Sequence, residues 1–120
     1  MRLSEAVDCY LMTCEMEGKS PRTIGWYQQK LGAFVAFLED PPAQELTLDH
    51  AKHFVASLWK RDITAQTVHG YVRTLRAFAS WLEREGYTSS NLFKKLRPPS
   101  LPKKLIQPLD EEEISVNIRP

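Results

Sequence analysis

Apolar residues recur at steps of three and four along four separate stretches of the chain, and this spacing constrains the fold more than any other feature. Such steps return to one face of an α-helix, so each stretch predicts an amphipathic helix. No stretch shows the strict alternation that predicts a half-buried strand. The four stripes are Leu3, Val7, Tyr10 and Cys14; Ile24, Tyr27, Leu31, Phe34 and Leu38; Leu48, Ala51, Phe54 or Val55, and Leu58; and Val68, Val72, Leu75, Ala79 and Leu82, widened by Tyr71 and Phe78.

Capping and breaking residues stand where these stripes begin and end. Ser20 followed by Pro21 is a typical helix start, and Gly18 is a typical helix stop. The lengths and the short connections predict an all-α fold, a four-helix orthogonal bundle of two roughly antiparallel helix pairs, whose core includes Leu31, Phe34, Phe54, Leu58, Leu75, Phe78 and Leu82. The predicted helices run from about Ser4 to Glu17, from Ser20 to the Pro41-Pro42 pair, from Thr47 to the turn at Asp62, and from Thr64 to Gly86.

The apolar pattern weakens after Gly86, where residues 91–96 predict at most one short turn. Residues 98–108 contain four prolines in eleven positions, which predicts a flexible, extended linker. The acids at 110–113 are typical of a helix start, because they suit the positive end of the helix dipole. We therefore expect a domain over 1–97, a linker over 98–108, and the truncated start of a second domain over 109–120.

Composition excludes several classes of protein. No apolar run approaches the roughly 20 residues of a membrane span, and the N-terminus lacks the apolar stretch of a secretory signal, so we expect a cytoplasmic protein with no membrane partner. Cys9 and Cys14 are five residues apart on different faces of a helix, which disfavours a disulfide between them. Nothing near His50 and His53 in the sequence completes a recognisable set of metal ligands, so we expect no metal and no cofactor.

Charge is distributed unevenly, although the whole chain carries only +1. Residues 61–108 hold nine bases and three acids, a net charge of +6, whereas residues 1–40 carry −2 and residues 109–120 carry −3. A basic half can mark a surface that contacts a polyanion. A merely solvated face is the alternative.

Hydrogen-bond donors cluster off the apolar stripes of the second and fourth helices. His69, Arg73 and Arg76 are spaced by four and three, so they share one face of the fourth helix. Gly70 costs about 1 kcal/mol relative to alanine in a helix, and we interpret it as leaving room for a closely approaching backbone. Such donors contact phosphates and base edges. The two clusters comprise Lys19, Ser20, Arg22, Thr23, Trp26 and Lys30, and Gln66, Thr67, His69, Gly70, Arg73 and Arg76.

Two stretches carry a resemblance to a known family. Residues 19–27 read KSPRTIGWY, similar to an S-x-x-T-x-x-x-Y helix, and residues 64–78 read TAQTVHGYVRTLRAF, similar to a T-x-x-T…R-x-x-L-R-x-F helix. With the linker and the acidic helix start, the chain resembles the N-terminal, SAM-like core-binding domain of tyrosine recombinases and phage integrases from residue 3 to about 113. Asn91-Leu92 departs from the Asn-Pro that often follows in the family.

The resemblance implies a domain that grips duplex DNA. In this family the core-binding domain and a larger catalytic domain form a C-shaped clamp around a recombination half-site. The implied partners are double-stranded DNA, the catalytic domain of the same parent chain, whose truncated start is expected at residues 109–120, and other recombinase protomers. The implied DNA contacts are Lys19, Ser20, Arg22, Thr23, Lys30, Gln66, Thr67, His69, Arg73 and Arg76, with Lys103 and Lys104 added from the linker.

No catalytic residue is expected in this chain. The family's catalytic domain supplies the tyrosine nucleophile, two arginines, a lysine and histidines, and none of the tyrosines at 10, 27, 71 and 87 stands in such a set. Two other functions remain open from the residues. One is a helical protein–protein interaction module that uses Trp26, Trp59 and Trp81 as an apolar patch. The other is a stand-alone helix-turn-helix repressor, which the proline-rich linker and the second helix start disfavour.

Overall fold

Four α-helices make up the chain in the computed structural model, which describes residues 1–98. They are α1 (Leu3–Met16), α2 (Pro21–Leu38), α3 (Leu48–Trp59) and α4 (Ala65–Arg84), with one 3-10 turn at Ala43–Glu45. The described part of the chain forms no strand, and its one bridge pairs Arg2 with Pro42. The predicted all-α fold of four helices is therefore confirmed. The predicted linker and the start of a second domain lie outside the described residues.

Polar side chains cap three of the four helices at the predicted positions. Ser20, Thr47 and Thr64 are the N-caps of α2, α3 and α4. Each side-chain oxygen accepts a hydrogen bond from the backbone N–H three residues later, at 3.1, 3.3 and 3.1 Å. These bonds satisfy backbone donors that the first turn of a helix leaves without a partner. Local sequence alone therefore sets where these helices begin.

Residues with left-handed backbone follow three of the four helices, α1, α2 and α4. Gly18 and Gly86 have φ of +79° and +82° and follow α1 and α4 as predicted. The predicted end of α2 was wrong, because α2 stops at Leu38 and not at the two prolines. Glu39 and Asp40 take φ of 60° and 52° there, which turns the chain before the prolines are reached.

Asp40 ties this turn to the start of α1. Its carboxylate accepts one hydrogen bond from the Ser4 backbone N–H and another from the Ser4 hydroxyl, both at 2.8 Å. Both bonds go to the charged form, so they lower the pKa of the Asp40 carboxyl, the backbone bond contributing most. The connection between α2 and α3 thereby holds the first turn of α1 in place.

One hydrophobic core lies between two helix pairs, α1 with α2 and α3 with α4. Its centre is aromatic: the rings of Phe34 and Phe54 meet edge to face at 5.2 Å, and Tyr10 and Phe78 do so at 5.6 Å. Every residue of the predicted core is buried, each at most 1% exposed: Leu31, Phe34, Phe54, Leu58, Leu75, Phe78 and Leu82.

The segment after α4 belongs to this core, which the sequence did not indicate. Phe93 is 0% exposed and Leu96 is also buried. The Phe93 ring packs edge to face on Phe34 at 6.0 Å. Residues 92–95 form a turn, as predicted, but a single turn is too short to show a period. The segment therefore lies against the last turns of α2 and beside the start of α3.

Candidate nucleic-acid interface

An open groove of about 420 Å³ runs between the start of α2 and the middle of α4. Arg22 and Thr23 border it from α2, and Arg73 borders it from α4. No acidic side chain lines it, and its charged side chains are the two arginines. We call it the α2–α4 groove; its lining residues are Arg22, Thr23, Trp26, Tyr27, Gly70, Arg73, Thr74 and Ala77.

A second open groove, of about 330 Å³, continues this surface along α4. It shares Arg73 and Ala77 with the α2–α4 groove and adds Arg76, Ser80 and Asn91. Asn91 comes from the turn after α4, and no sequence pattern pointed to it. Four predicted contacts, Arg22, Thr23, Arg73 and Arg76, therefore border one continuous surface from two helices.

The arginines of this surface have no acidic partner among residues 1–98. The ion pair formed within this range joins Lys19 to Glu17 at 4.0 Å, between two exposed side chains. Arg22, Arg73 and Arg76 are all exposed. Their guanidinium groups can therefore bind an anion without first breaking an internal pair.

Other predicted contacts lie at the starts of α2 and α4. Ser20 and Thr23 bond to each other, the Ser20 hydroxyl donating to Thr23 Oγ1 at 3.0 Å, and Thr67 Oγ1 lies 3.0 Å from the capping Thr64 hydroxyl. These hydroxyls hold the first turns together. Gln66 is exposed and His69 is partly exposed, and neither lines the two grooves.

Lys30, which the sequence predicts as a direct DNA contact, lies between two aromatic rings. It is only 7% exposed, and its Nζ lies 4.2 Å from the centre of the Trp26 ring and 4.3 Å from that of Tyr71. Burial lowers the pKa of its ammonium by removing water from the charged form. The two ring faces attract the cation and oppose that loss.

The space beside Gly70 is also used differently from the sequence interpretation. A Cβ built on Gly70 would lie 2.9 Å from Cζ2 and 3.5 Å from Cη2 of Trp26. The missing side chain therefore makes room for the indole of this protein, not for an external backbone. Thr74, one turn later, donates its hydroxyl to the Gly70 carbonyl at 2.9 Å.

Three further expectations concern tryptophans, metals and the linker. Trp81 is 2% exposed, so the predicted apolar patch of three tryptophans was wrong, although Trp26 and Trp59 are exposed. No cluster of three or more metal-ligating side chains occurs among residues 1–98, and no helix of that range is long and apolar enough to cross a bilayer. Lys103 and Lys104 lie outside the described residues.

Four helices without a strand over residues 1–98 define a small all-α domain. The family model described as "Phage integrase, N-terminal SAM-like domain" matches residues 7–86, and the chain belongs to this family. The resemblance inferred from the two helical motifs is thus confirmed.

Curated relatives are similar over most of the chain. It is 30% identical to a tyrosine recombinase XerC of Oceanobacillus iheyensis, over 90% of this chain and 37% of the relative. It is 31% identical to a tyrosine recombinase XerC of Alcanivorax borkumensis, over 80% of this chain and 31% of the relative. It is 30% identical to a tyrosine recombinase XerA of Thermococcus onnurineus, over 93% of this chain and 36% of the relative. The chain thus spans about a third of the length of these relatives. No solved structure matches it significantly.

Proposed function

We propose that this chain is the DNA-binding N-terminal domain of a tyrosine recombinase, which holds duplex DNA at a recombination half-site during site-specific integration or recombination. Binding is non-covalent, needs no cofactor and takes place in the cytoplasm. The observation that carries the proposal is the α2–α4 groove, where Arg22 and Arg73 border one acid-free space from two helices.

Guanidinium groups suit the phosphate backbone. Arginine is always charged and presents paired donors that match two phosphate oxygens. Arg76 extends the same surface along α4, which is about 30 Å long at 20 residues. Successive phosphates of one strand can thus contact successive arginines. Counterions released from the DNA then make the affinity depend strongly on salt.

We assign catalysis to the part of the relatives that this chain does not span. The environment of Tyr10 supports that division. Tyr10 is buried, and burial raises the pKa of its phenol, with smaller contributions from Cys14 and Tyr27. A nucleophilic tyrosine needs the opposite environment, with an adjacent base or cations. The catalytic domain of the parent chain and other protomers on the same DNA are the proposed partners.

The alternative, a protein–protein interaction module, has less support. It used three tryptophans as a patch, and one of them, Trp81, is buried in the core. A second, Trp26, lies in the α2–α4 groove beside two arginines, which is a cationic setting. Trp59, at the end of α3, is exposed but stands apart from that groove.

The salt dependence of duplex binding tests the proposal. We expect Arg22→Ala, Arg73→Ala and Arg76→Ala each to lower the slope of log affinity against log salt by about 0.9, the value for one phosphate contact. Lys52→Ala, which removes an exposed positive charge from α3, is the matched control and should leave the slope unchanged. Fluorescence anisotropy with a labelled duplex at several salt concentrations measures this slope. Equal effects from all four substitutions would show a diffuse charge effect and no defined surface.

A further inference from the structure

Lys30 links the two helices that border the α2–α4 groove. Its ammonium lies 4.2 Å from the ring centre of Trp26, one turn earlier on α2, and 4.3 Å from that of Tyr71 on α4. The side chain is 7% exposed and forms no ion pair with another residue of 1–98. Lysines are seldom buried without an acidic partner, so the two aromatic faces are its compensation here.

Trp26 is held on a second side by α4. Its Cζ2 lies only 2.9 Å from the point where a Cβ on residue 70 would stand, so the indole packs directly against the Gly70 backbone. Trp26 as a whole is 46% exposed, and it lines the α2–α4 groove beside Arg22 and Arg73. The position of this one indole therefore determines the shape of the groove between the two arginines.

We propose that Lys30 is a positioning residue for DNA binding: held between Trp26 and Tyr71, its ammonium fixes the indole against Gly70 and so keeps the α2–α4 groove open for a backbone phosphate of duplex DNA. This inference rests on the proposed function. It gives Lys30 an indirect role in DNA binding, in place of the direct DNA contact that the sequence predicts. Arginines on two helices can share a phosphate only if the spacing of those helices is set beforehand, and preorganisation of this kind lowers the cost of binding.

The test compares three variants of the whole 120-residue chain. Lys30→Met keeps an unbranched apolar stem and removes the charge. Lys30→Arg keeps a cation that can stack on both rings. Lys52→Met makes the same lysine-to-methionine substitution at an exposed position on α3 and is the control. Urea denaturation of each variant confirms that it folds, and Trp26→Phe gives a second route to the same loss should Lys30→Met fail to fold.

Two readouts separate positioning from contact. In the unaltered chain the Lys30 side-chain protons should be shifted strongly upfield by the ring currents of Trp26 and Tyr71. We expect Lys30→Met to weaken binding to a short duplex about three- to tenfold, because a loosened side chain must be ordered again on binding, and to leave the salt slope unchanged. Lys30→Arg should restore the affinity, and Lys52→Met should not change it.

Each other outcome overturns a distinct claim. A salt slope lowered by about 0.9 in Lys30→Met would show that Lys30 contacts a phosphate directly, against the positioning role. An unchanged affinity in Lys30→Met, with normal binding by the unaltered chain, would also overturn it and leave the proposed function standing. No binding by the unaltered chain at low salt would overturn the proposed function and this inference together.

Discussion

Gly70 offers a sharp test of how the α2–α4 groove is built, through the substitution Gly70→Ala. Alanine in a helix interior is favoured over glycine by about 0.8–1.0 kcal/mol. The new Cβ would stand 2.9 Å from Trp26 Cζ2, closer than carbon atoms approach, so the indole must move. Moving it off its preferred rotamer costs about 0.5–1.5 kcal/mol. Weakening its contact with Lys30 costs about another 0.5–1 kcal/mol. The net effect on stability therefore runs from about zero to a loss of about 1.7 kcal/mol.

Gly32 is the matched control for this substitution. It lies within α2, is exposed, and has nothing within 4 Å of a Cβ built on it. We expect Gly32→Ala to raise the free energy of unfolding by about 1 kcal/mol and Gly70→Ala to leave it unchanged or lower it slightly. Urea denaturation monitored by circular dichroism measures both, and equal m-values show that the unfolded states are comparable.

Duplex affinity gives the second readout of the same pair. Gly70→Ala should weaken binding because the displaced indole enters the space between Arg22 and Arg73, whereas Gly32→Ala should not change it. If Gly70→Ala stabilises the protein as much as Gly32→Ala and binds DNA normally, Trp26 is not seated against α4 as described. The account of the groove would then be wrong.

Two further predictions concern the fold. Phe93→Ala should lower the free energy of unfolding by about 3–5 kcal/mol, because a fully buried ring is removed from the core; a change under about 1 kcal/mol in urea denaturation would show that the segment after α4 is not part of the domain. Asp40→Asn should remove a pH-dependent part of the stability, because folding lowers the pKa of the Asp40 carboxyl. The stabilisation by the Asp40 carboxylate is complete well above its ordinary pKa of 3.8, and it is lost as the pH falls through the folded pKa. Denaturation midpoints between about pH 6 and pH 3 should therefore fall less in the variant than in the parent, and parallel curves would refute the role of Asp40.

The helices and the core could be predicted because their signals are local. Caps such as Ser20 and Thr64 act on the next three residues, and a stripe such as that of α4 needs only its own period. The burial of Phe93 could not be predicted, because it comes from a distant contact with Phe34. The end of α2 also escaped prediction, since two consecutive non-glycine residues with positive φ are uncommon.

The candidate site was predictable in outline but not in its internal contacts. The spacing of Arg73 and Arg76 placed them on one face, and the structure brings Arg22 beside that face. Lys30 was grouped with them because a lysine off the apolar stripe is normally solvated. Its position four residues after Trp26 was a signal for a contact between the two side chains, but Tyr71 is brought close only by the packing of α2 on α4.

Chemical-shift mapping of the labelled chain with a short duplex at low salt tests the central claim most directly. The account predicts perturbations clustered at residues 19–30 and 64–76, with the arginine side chains bordering the α2–α4 groove among the strongest. Perturbations that fall instead on α3, or none at all with DNA in excess, would contradict DNA binding by this surface.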